Sequence, residues 1–172
     1  LRRFVANRLD AKLHPRIDAS DVIQETHLEV AKRIEDYLKR APMPFHLWLR
    51  KTAYENLLRQ RRRHVTAQQR SVERERPIPE RSSILLAEKL LTVDPPSAAM
   101  ARDEAIARVR QALAELEPID EEVLLLRAIE GLPNKEVALV LDLDQKTVSK
   151  RYTRALLRLQ QALSPNSSES DA

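Results

Sequence analysis

The stretch PNKEVALVLDLDQKTVSKRYTRALLRLQQAL, residues 133–163, decides the fold. Its apolar spacing predicts a short helix from about Asn134 to Leu141, a turn at Asp142-Leu143-Asp144 and a long helix from Gln145 to Leu163. Two helices joined by so short a turn form the helix-turn-helix that lays its second helix in a DNA major groove. That second helix must be apolar on its scaffold side and polar and basic on the other. Val148, Tyr152, Ala155, Leu156 and Leu159 fall on one side of it, and Gln145, Lys146, Ser149, Lys150 and Arg154 largely on the other. No acidic residue occurs between Gln145 and Leu163. Gln145 and Lys146 occupy the first turn, which reaches base edges, and Asp144 can cap it. Arg151, Arg154 and Arg158 suit phosphate contacts, which position the helix without specifying sequence. The turn of this motif often carries glycine where this chain has Asp142, and aspartate tolerates the left-handed region better than most residues. The plainer alternative is a helical hairpin with a solvated basic face. The short turn, the acid-free helix and the amphipathic split together favour DNA.

Moving outward, the chain of 172 residues suffices for one sizeable domain or two small ones. Its single glycine, Gly131, leaves almost no room for phosphate-cradling loops or tight hairpins, both of which need several. Good helix formers fill most of the rest. The fold class is therefore all-α: two small helical domains joined by a flexible linker, the second containing the helix-turn-helix. The absence of cysteine excludes disulfides, zinc fingers and thiol catalysis. His14, His27, His46 and His64 are too widely spaced for a helical metal pair. No catalytic residue, metal site or cofactor is expected. No apolar run approaches the roughly 18 residues of a membrane span, and no secretory signal is visible, so the expected location is cytoplasmic.

The formal net charge of +4 is modest, but the basic residues cluster twice. One cluster is Arg50-Lys51, Arg59, Arg61-Arg62-Arg63 and Arg70, and the other is Lys146, Lys150, Arg151, Arg154 and Arg158. Acidic residues gather around Asp18 to Asp36 and Glu115 to Glu122. Two basic stretches on a nearly balanced chain point to two contacts with a polyanion, against the alternative of solvated helix faces.

A first domain spans about residues 1–66. The chain opens at Leu1 within an already helical pattern, which reads as a trimmed N-terminus and an incomplete first helix. A second helix starts near Asp18 to Ser20, and Ala41-Pro42-Met43-Pro44 stops it. A third runs from about Phe45 towards Arg63, with Trp48 assigned to the core. Residues 67–100, polar and punctuated by Pro77, Pro79, Pro95 and Pro96, read as a partly disordered linker with a brief helix over Ile84 to Leu91. The second domain spans 101–163. It begins with an amphipathic helix carrying Ile106, Val109, Leu113 and Leu116, followed by a helix over Glu121 to Glu130 that Gly131 closes. Residues 164–172 form a polar tail expected to be disordered.

Within the first domain, Asp21-Val22-Ile23-Gln24-Glu25-Thr26 resembles the Asp-x-x-Gln-Glu-Thr signature in the second region of bacterial RNA polymerase sigma factors. Phe45-His-Leu-Trp48-Leu49-Arg-Lys-Thr-Ala53-Tyr-Glu-Asn56-Leu57 is similar to the stretch that follows it in that family. Glu122 to Arg127, Glu130-Gly131-Leu132 and Glu136-Val137-Ala138 resemble the fourth region, whose helix-turn-helix is the one above. The likeness covers nearly the whole chain, in order. The additional regions of larger members are missing, which resembles the small extracytoplasmic-function group. Ser149-Lys150-Arg151-Tyr152 and Leu132-Pro133-Asn134-Lys135-Glu136 resemble its planctomycete-type branch.

The resemblance implies a division of labour. Asp21, Gln24 and Glu25 would dock on the coiled coil of the largest subunit of core RNA polymerase. Arg50, Lys51, Asn56, Arg59, Arg61, Arg62 and Arg63 would engage the −10 promoter element. Gln145, Lys146, Ser149, Lys150, Arg151, Arg154 and Arg158 would read or hold the −35 element. Promoter DNA, core polymerase and an anti-sigma factor are the implied partners, with no membrane. The family often has an acidic residue near Arg59, and its absence leaves the details of recognition there open. On helical geometry Asp21 shares a face with Gln24 and Glu25, while Val22 and Ile23 turn to the core. A stand-alone DNA-binding regulator is the first rival reading, and Asp21-x-x-Gln24-Glu25 with the basic third helix argues against it. A helical adaptor is the second, opposed by the acid-free helix. An enzyme is more distant still, because adjacent carboxylates such as Glu121-Glu122 point apart on a helix.

Overall fold

The computed structural model describes residues 1–9, 18–68, 80–91 and 99–163. Among them every regular element is helical. The N-terminal half comprises α1 (Arg2–Ala6), α2 (Ala19–Arg40) and α3 (Phe45–Gln68). Helix α2 starts where the Asp18 carboxylate accepts the Ser20 N–H at 2.9 Å. It ends at Ala41, which takes a left-handed φ of 38° just before the prolines. The Pro44 carbonyl then accepts the N–H groups of Leu47 and Trp48 at 3.0 and 3.1 Å, opening α3. Helix α3 extends past Arg63 to Gln68, since nothing between them breaks a helix.

The expected brief helix in the middle of the chain is α4 (Glu80–Leu91), and it begins four residues before Ile84. The remaining segments of 67–100 expected to be disordered, apart from the end of α3 and the start of α5, lie outside the described residues, as does the tail. The C-terminal half comprises α5 (Ala99–Ala114), α6 (Pro118–Leu124), α7 (Asn134–Leu141) and α8 (Gln145–Leu163). Pro118 takes the first helical position of α6, where its missing N–H is no loss. The helix expected to run on to Glu130 instead widens after Leu124 into a π turn over Leu125–Ile129. The Glu130 N–H reaches five residues back to Leu125 at 3.1 Å. Gly131, at φ 72°, then reverses the chain, and the Leu132 N–H closes on the Leu126 carbonyl at 3.0 Å.

Two buried clusters hold these helices. One contains Leu86 and Ala87 of α4, Val109, Leu113 and Leu116, then Leu124, Leu125, Ala155 and Leu159, so α4 packs on the C-terminal half. The other is shared between the halves. Phe4, Val5, Leu9, Val22, Leu47, Ala53 and Leu57 meet Val123, Leu126, Leu132, Val137, Val140 and Val148. Burying one large aliphatic side chain contributes roughly 1.5–3 kcal/mol, so this seam is cohesive without any charge. Trp48 is core, at 6% exposure, stacked on Tyr37 at 4.6 Å between ring centroids.

Candidate nucleic-acid interface

The helix-turn-helix is built by local chemistry. Asp142 sits at φ 60° and ψ 43°, the left-handed position that ends α7. The Leu143 N–H returns to the Ala138 carbonyl at 3.0 Å and tightens the turn. Asp144 then caps α8: its carboxylate accepts the Thr147 N–H at 2.8 Å and the Thr147 hydroxyl. The Thr147 hydroxyl above all, and then the Thr147 N–H, holds the Asp144 carboxyl below the usual aspartate range. Val148, Ala155 and Leu159 are fully buried, which orients the helix about its axis. The opposite face presents Gln145, Lys146, Ser149 and Lys150, all exposed. A cationic and amide-bearing first turn on a fixed, capped helix is the arrangement that reads base edges.

The arginines farther along α8 differ from one another. Arg151 and Arg154 both reach Asp120 of α6, a carboxylate only 1% exposed. Arg151 Nη1 donates to one Asp120 oxygen at 2.6 Å, and Arg154 Nη2 and Nε donate to the other at 2.6 and 3.1 Å. These two arginines, expected at phosphates, brace α8 against α6. The Arg154 side chain still keeps about half its surface open, at 53%. Arg158 is exposed and donates to the Glu115 carbonyl at 3.4 Å.

The basic face of α3 is also divided. Arg59, Arg62 and Arg63 are exposed, and Arg61 lies on the same helix with its side chain outside the described residues. Arg50 lies 3.9 Å from Glu130, and Lys51 lies 3.4 Å from Asp142, so both face the C-terminal half. Asn56 is fully buried between α2 and α3, where its amide donates to the Thr26 hydroxyl at 3.2 Å. It acts there as a spacer between helices and does not face solvent in this conformation. On α2, Asp21 and Gln24 are exposed on one face, with Val22 buried behind them. Glu25, half-buried, accepts from Gln60 at 2.8 Å and lies 3.7 Å from Arg63. The expected docking triplet is thus two open groups and one tied to α3.

Three residues that matter to this arrangement escape a reading of the sequence. Asp120 and Glu122 sit in an acidic run that looks like a solvated surface, yet both are buried. Arg8 follows α1 and is 2% exposed. The only hint of Asp120 is its place two residues inside a proline-started helix, opposite a helix rich in arginine.

Residues 106–159, from the middle of α5 to the end of the buried face of α8, match the family "Sigma-70, region 4". Over 154 residues the chain is 27% identical to the RNA polymerase sigma-H factor of Pseudomonas aeruginosa, covering 89% of this chain and 77% of that protein. The C-terminal half of the chain thus carries a sigma-70 region 4 domain. Among solved structures, its fold is similar to CnrH in complex with the cytosolic domain of CnrY, with TM-score 0.54, 24% identity, and coverage of 94% of this chain and 77% of that one. It is likewise similar to the sigma factor RpoE bound to the anti-sigma factor NepR from Bartonella quintana, with TM-score 0.59, 18% identity, and coverage of 94% and 88%. The region 4 match contains α7, the turn and α8 as far as Leu159, including Asp142, Asp144 and the exposed start of α8. Among the described residues no helix is long and apolar enough to cross a membrane.

Proposed function

We propose that this chain is a sigma factor of the small extracytoplasmic-function group, in its planctomycete-type branch, and works in the cytoplasm as the promoter-reading subunit of RNA polymerase. Residues 1–66 act as the region 2 domain: Asp21 and Gln24, steadied by Glu25, dock on the basic coiled coil of the largest polymerase subunit. The exposed Arg59, Arg62 and Arg63 of α3, with Arg50, Lys51 and Arg61, engage the −10 element. Residues 101–163 act as the region 4 domain, in which Gln145, Lys146, Ser149 and Lys150 read the −35 element and Arg158 holds a phosphate. Neither contact needs to be strong by itself, because tethered domains raise each other's effective concentration. An anti-sigma factor is a natural partner, as both similar solved structures are complexes with a second protein.

The observation that carries this reading is the capped, basic first turn of α8 within the region 4 match, on the same chain as an exposed Asp21–Gln24 face. The test is binding of the full chain to bacterial core RNA polymerase, with Asp21→Ala plus Gln24→Ala as the variant. Tight binding weakened by the double change supports the docking face on α2. Binding unaffected by it moves the interface elsewhere, and no binding by the folded wild type promotes a stand-alone regulator.

A further inference from the structure

Arg127 is the one charge in the apolar run from Val123 to Ile129, and no local pattern accounts for it. The π turn over Leu125–Ile129 gives it a place. Leu124, Leu125, Leu126 and Ala128 around it are buried, and Arg127 itself is half-buried. Its Nη1 donates to the Leu132 carbonyl at 2.8 Å. The Leu132 N–H closes on the Leu126 carbonyl at 3.0 Å, so two consecutive residues of the π turn hold Leu132 at both its N–H and its carbonyl. Pro133 follows, and α7 begins at Asn134. The Arg127 guanidinium also lies over the Tyr152 ring of α8, with its central carbon 5.0 Å from the ring centroid. One side chain thus touches the entry to the first helix of the helix-turn-helix and the body of the second.

We propose that Arg127 is a positioning residue for base reading: through the Leu132 carbonyl and the Tyr152 ring it fixes the rotation of α8, and so decides which bases Gln145 and Lys146 meet, a role that rests on α8 being the DNA-reading helix. Apolar packing at Val148, Ala155 and Leu159 selects the buried face of α8, but it is non-directional and tolerates small rotations. Tyr152 packs against both buried clusters, so a force on its ring is a force on the whole helix. A cation is drawn to the negative face of an aromatic ring, the more so where water is kept away. Arg127 Nε is buried and has no hydrogen-bond partner among the described residues, so that edge of the guanidinium is dry. Side-chain tips stand roughly 5–6 Å from a helix axis, and a rotation of about 10° carries them by about 1 Å. Adding about 1 Å to a hydrogen bond of about 2.9 Å takes it out of range. Asp120 holds α8 through Arg151 and Arg154 at the surface, and Arg127 holds it through the ring on the core side.

The test uses the full chain and a pool of short DNA duplexes carrying a randomised segment, with bound and unbound DNA sequenced. Arg127→Met keeps an unbranched stem and loses the charge and the fork. It is expected to lower the enrichment of the wild type's preferred sequences on the order of tenfold. A merely structural role does not move this readout, because unfolded molecules reduce binding to every sequence alike and leave the enrichment ratio where it was. The salt slope on one preferred duplex is expected to stay unchanged, since no phosphate contact is lost. Tyr152→Phe retains the ring and is expected to retain the preference. Tyr152→Leu is expected to lose it, and Arg127→Met plus Tyr152→Leu to lose no more than Arg127→Met alone.

Equal enrichment by the wild type and Arg127→Met overturns the positioning role and leaves DNA reading by α8 standing. A salt slope shallower by about 0.9 in Arg127→Met also overturns it, because that is the mark of a lost phosphate contact. Where Arg127→Met does not fold by circular dichroism, Tyr152→Leu against Tyr152→Phe carries the same test, and equal enrichment by those two overturns the role. A wild type that enriches no sequence removes the DNA-reading assignment of α8 itself, and the positioning role falls with it.

Discussion

Replacing Asp120 tests whether Arg151 and Arg154 are braces or phosphate contacts. Asp120→Ala removes three charge-assisted hydrogen bonds between α6 and α8, at 2.6, 2.6 and 3.1 Å. A bond to a charged group contributes roughly 1.5–3 kcal/mol, but these three share one carboxylate and cannot be summed. Breaking a fully buried pair costs about 3–5 kcal/mol. Here the stranded partners keep water, since the Arg151 and Arg154 side chains are 28% and 53% exposed. Removing Asp120 also abolishes the cost of burying its charge. The expected loss is therefore about 2 kcal/mol, below the buried-pair range and above that of an exposed pair. It is read as a lower urea midpoint at unchanged slope. The second readout is the salt dependence of DNA binding. Two arginines released to phosphates steepen the logarithmic salt slope by up to about 1.8. An unchanged urea midpoint together with an unchanged salt slope would refute the bracing argument. Loss of stability with no change in salt slope would keep the brace and remove the arginines from DNA altogether.

Two further outcomes follow from α8. Gln145→Ala and Lys146→Ala are expected to cost about 1–3 kcal/mol of discrimination between the preferred −35 bases and their substitutes, whereas Lys150→Ala should weaken all sequences alike; competition binding with base-substituted duplexes separates the two patterns. The Asp144 cap has a signed pH dependence. Its carboxyl is held low in the folded chain by the Thr147 hydroxyl, so the folded form binds the proton less readily than the unfolded. The cap's contribution is thus present above the ordinary aspartate range and lost as pH falls through the lowered folded value. Amide exchange at Thr147 should stay slow through mildly acidic pH and accelerate only below it, and Thr147→Val should move that acceleration to higher pH.

What the sequence determined by itself is the local part. The 3.6-residue spacing of Val148, Ala155 and Leu159 gives the buried face of α8. Asp142 takes the left-handed turn, Asp144 takes the cap, and a proline run ends α2, each acting through neighbours within a few residues. The exposed first turn of the recognition helix follows from these alone. The tertiary structure decided which charges find one another. Arg8 pairs with Glu122 across 114 positions, and Arg151 and Arg154 turn back to Asp120 across 31 and 34. Asn56, polar and helical, gives no local sign that packing will bury it against Thr26. The π turn at Leu125 places Glu130 beside Arg50, a contact that an unbroken helical count would misplace. Periodicity constrains the face a side chain occupies and carries no information about the element opposite. That element is chosen by how apolar stripes from both ends of the chain pack into one core, and the ion pairs form where that packing brings the charges together.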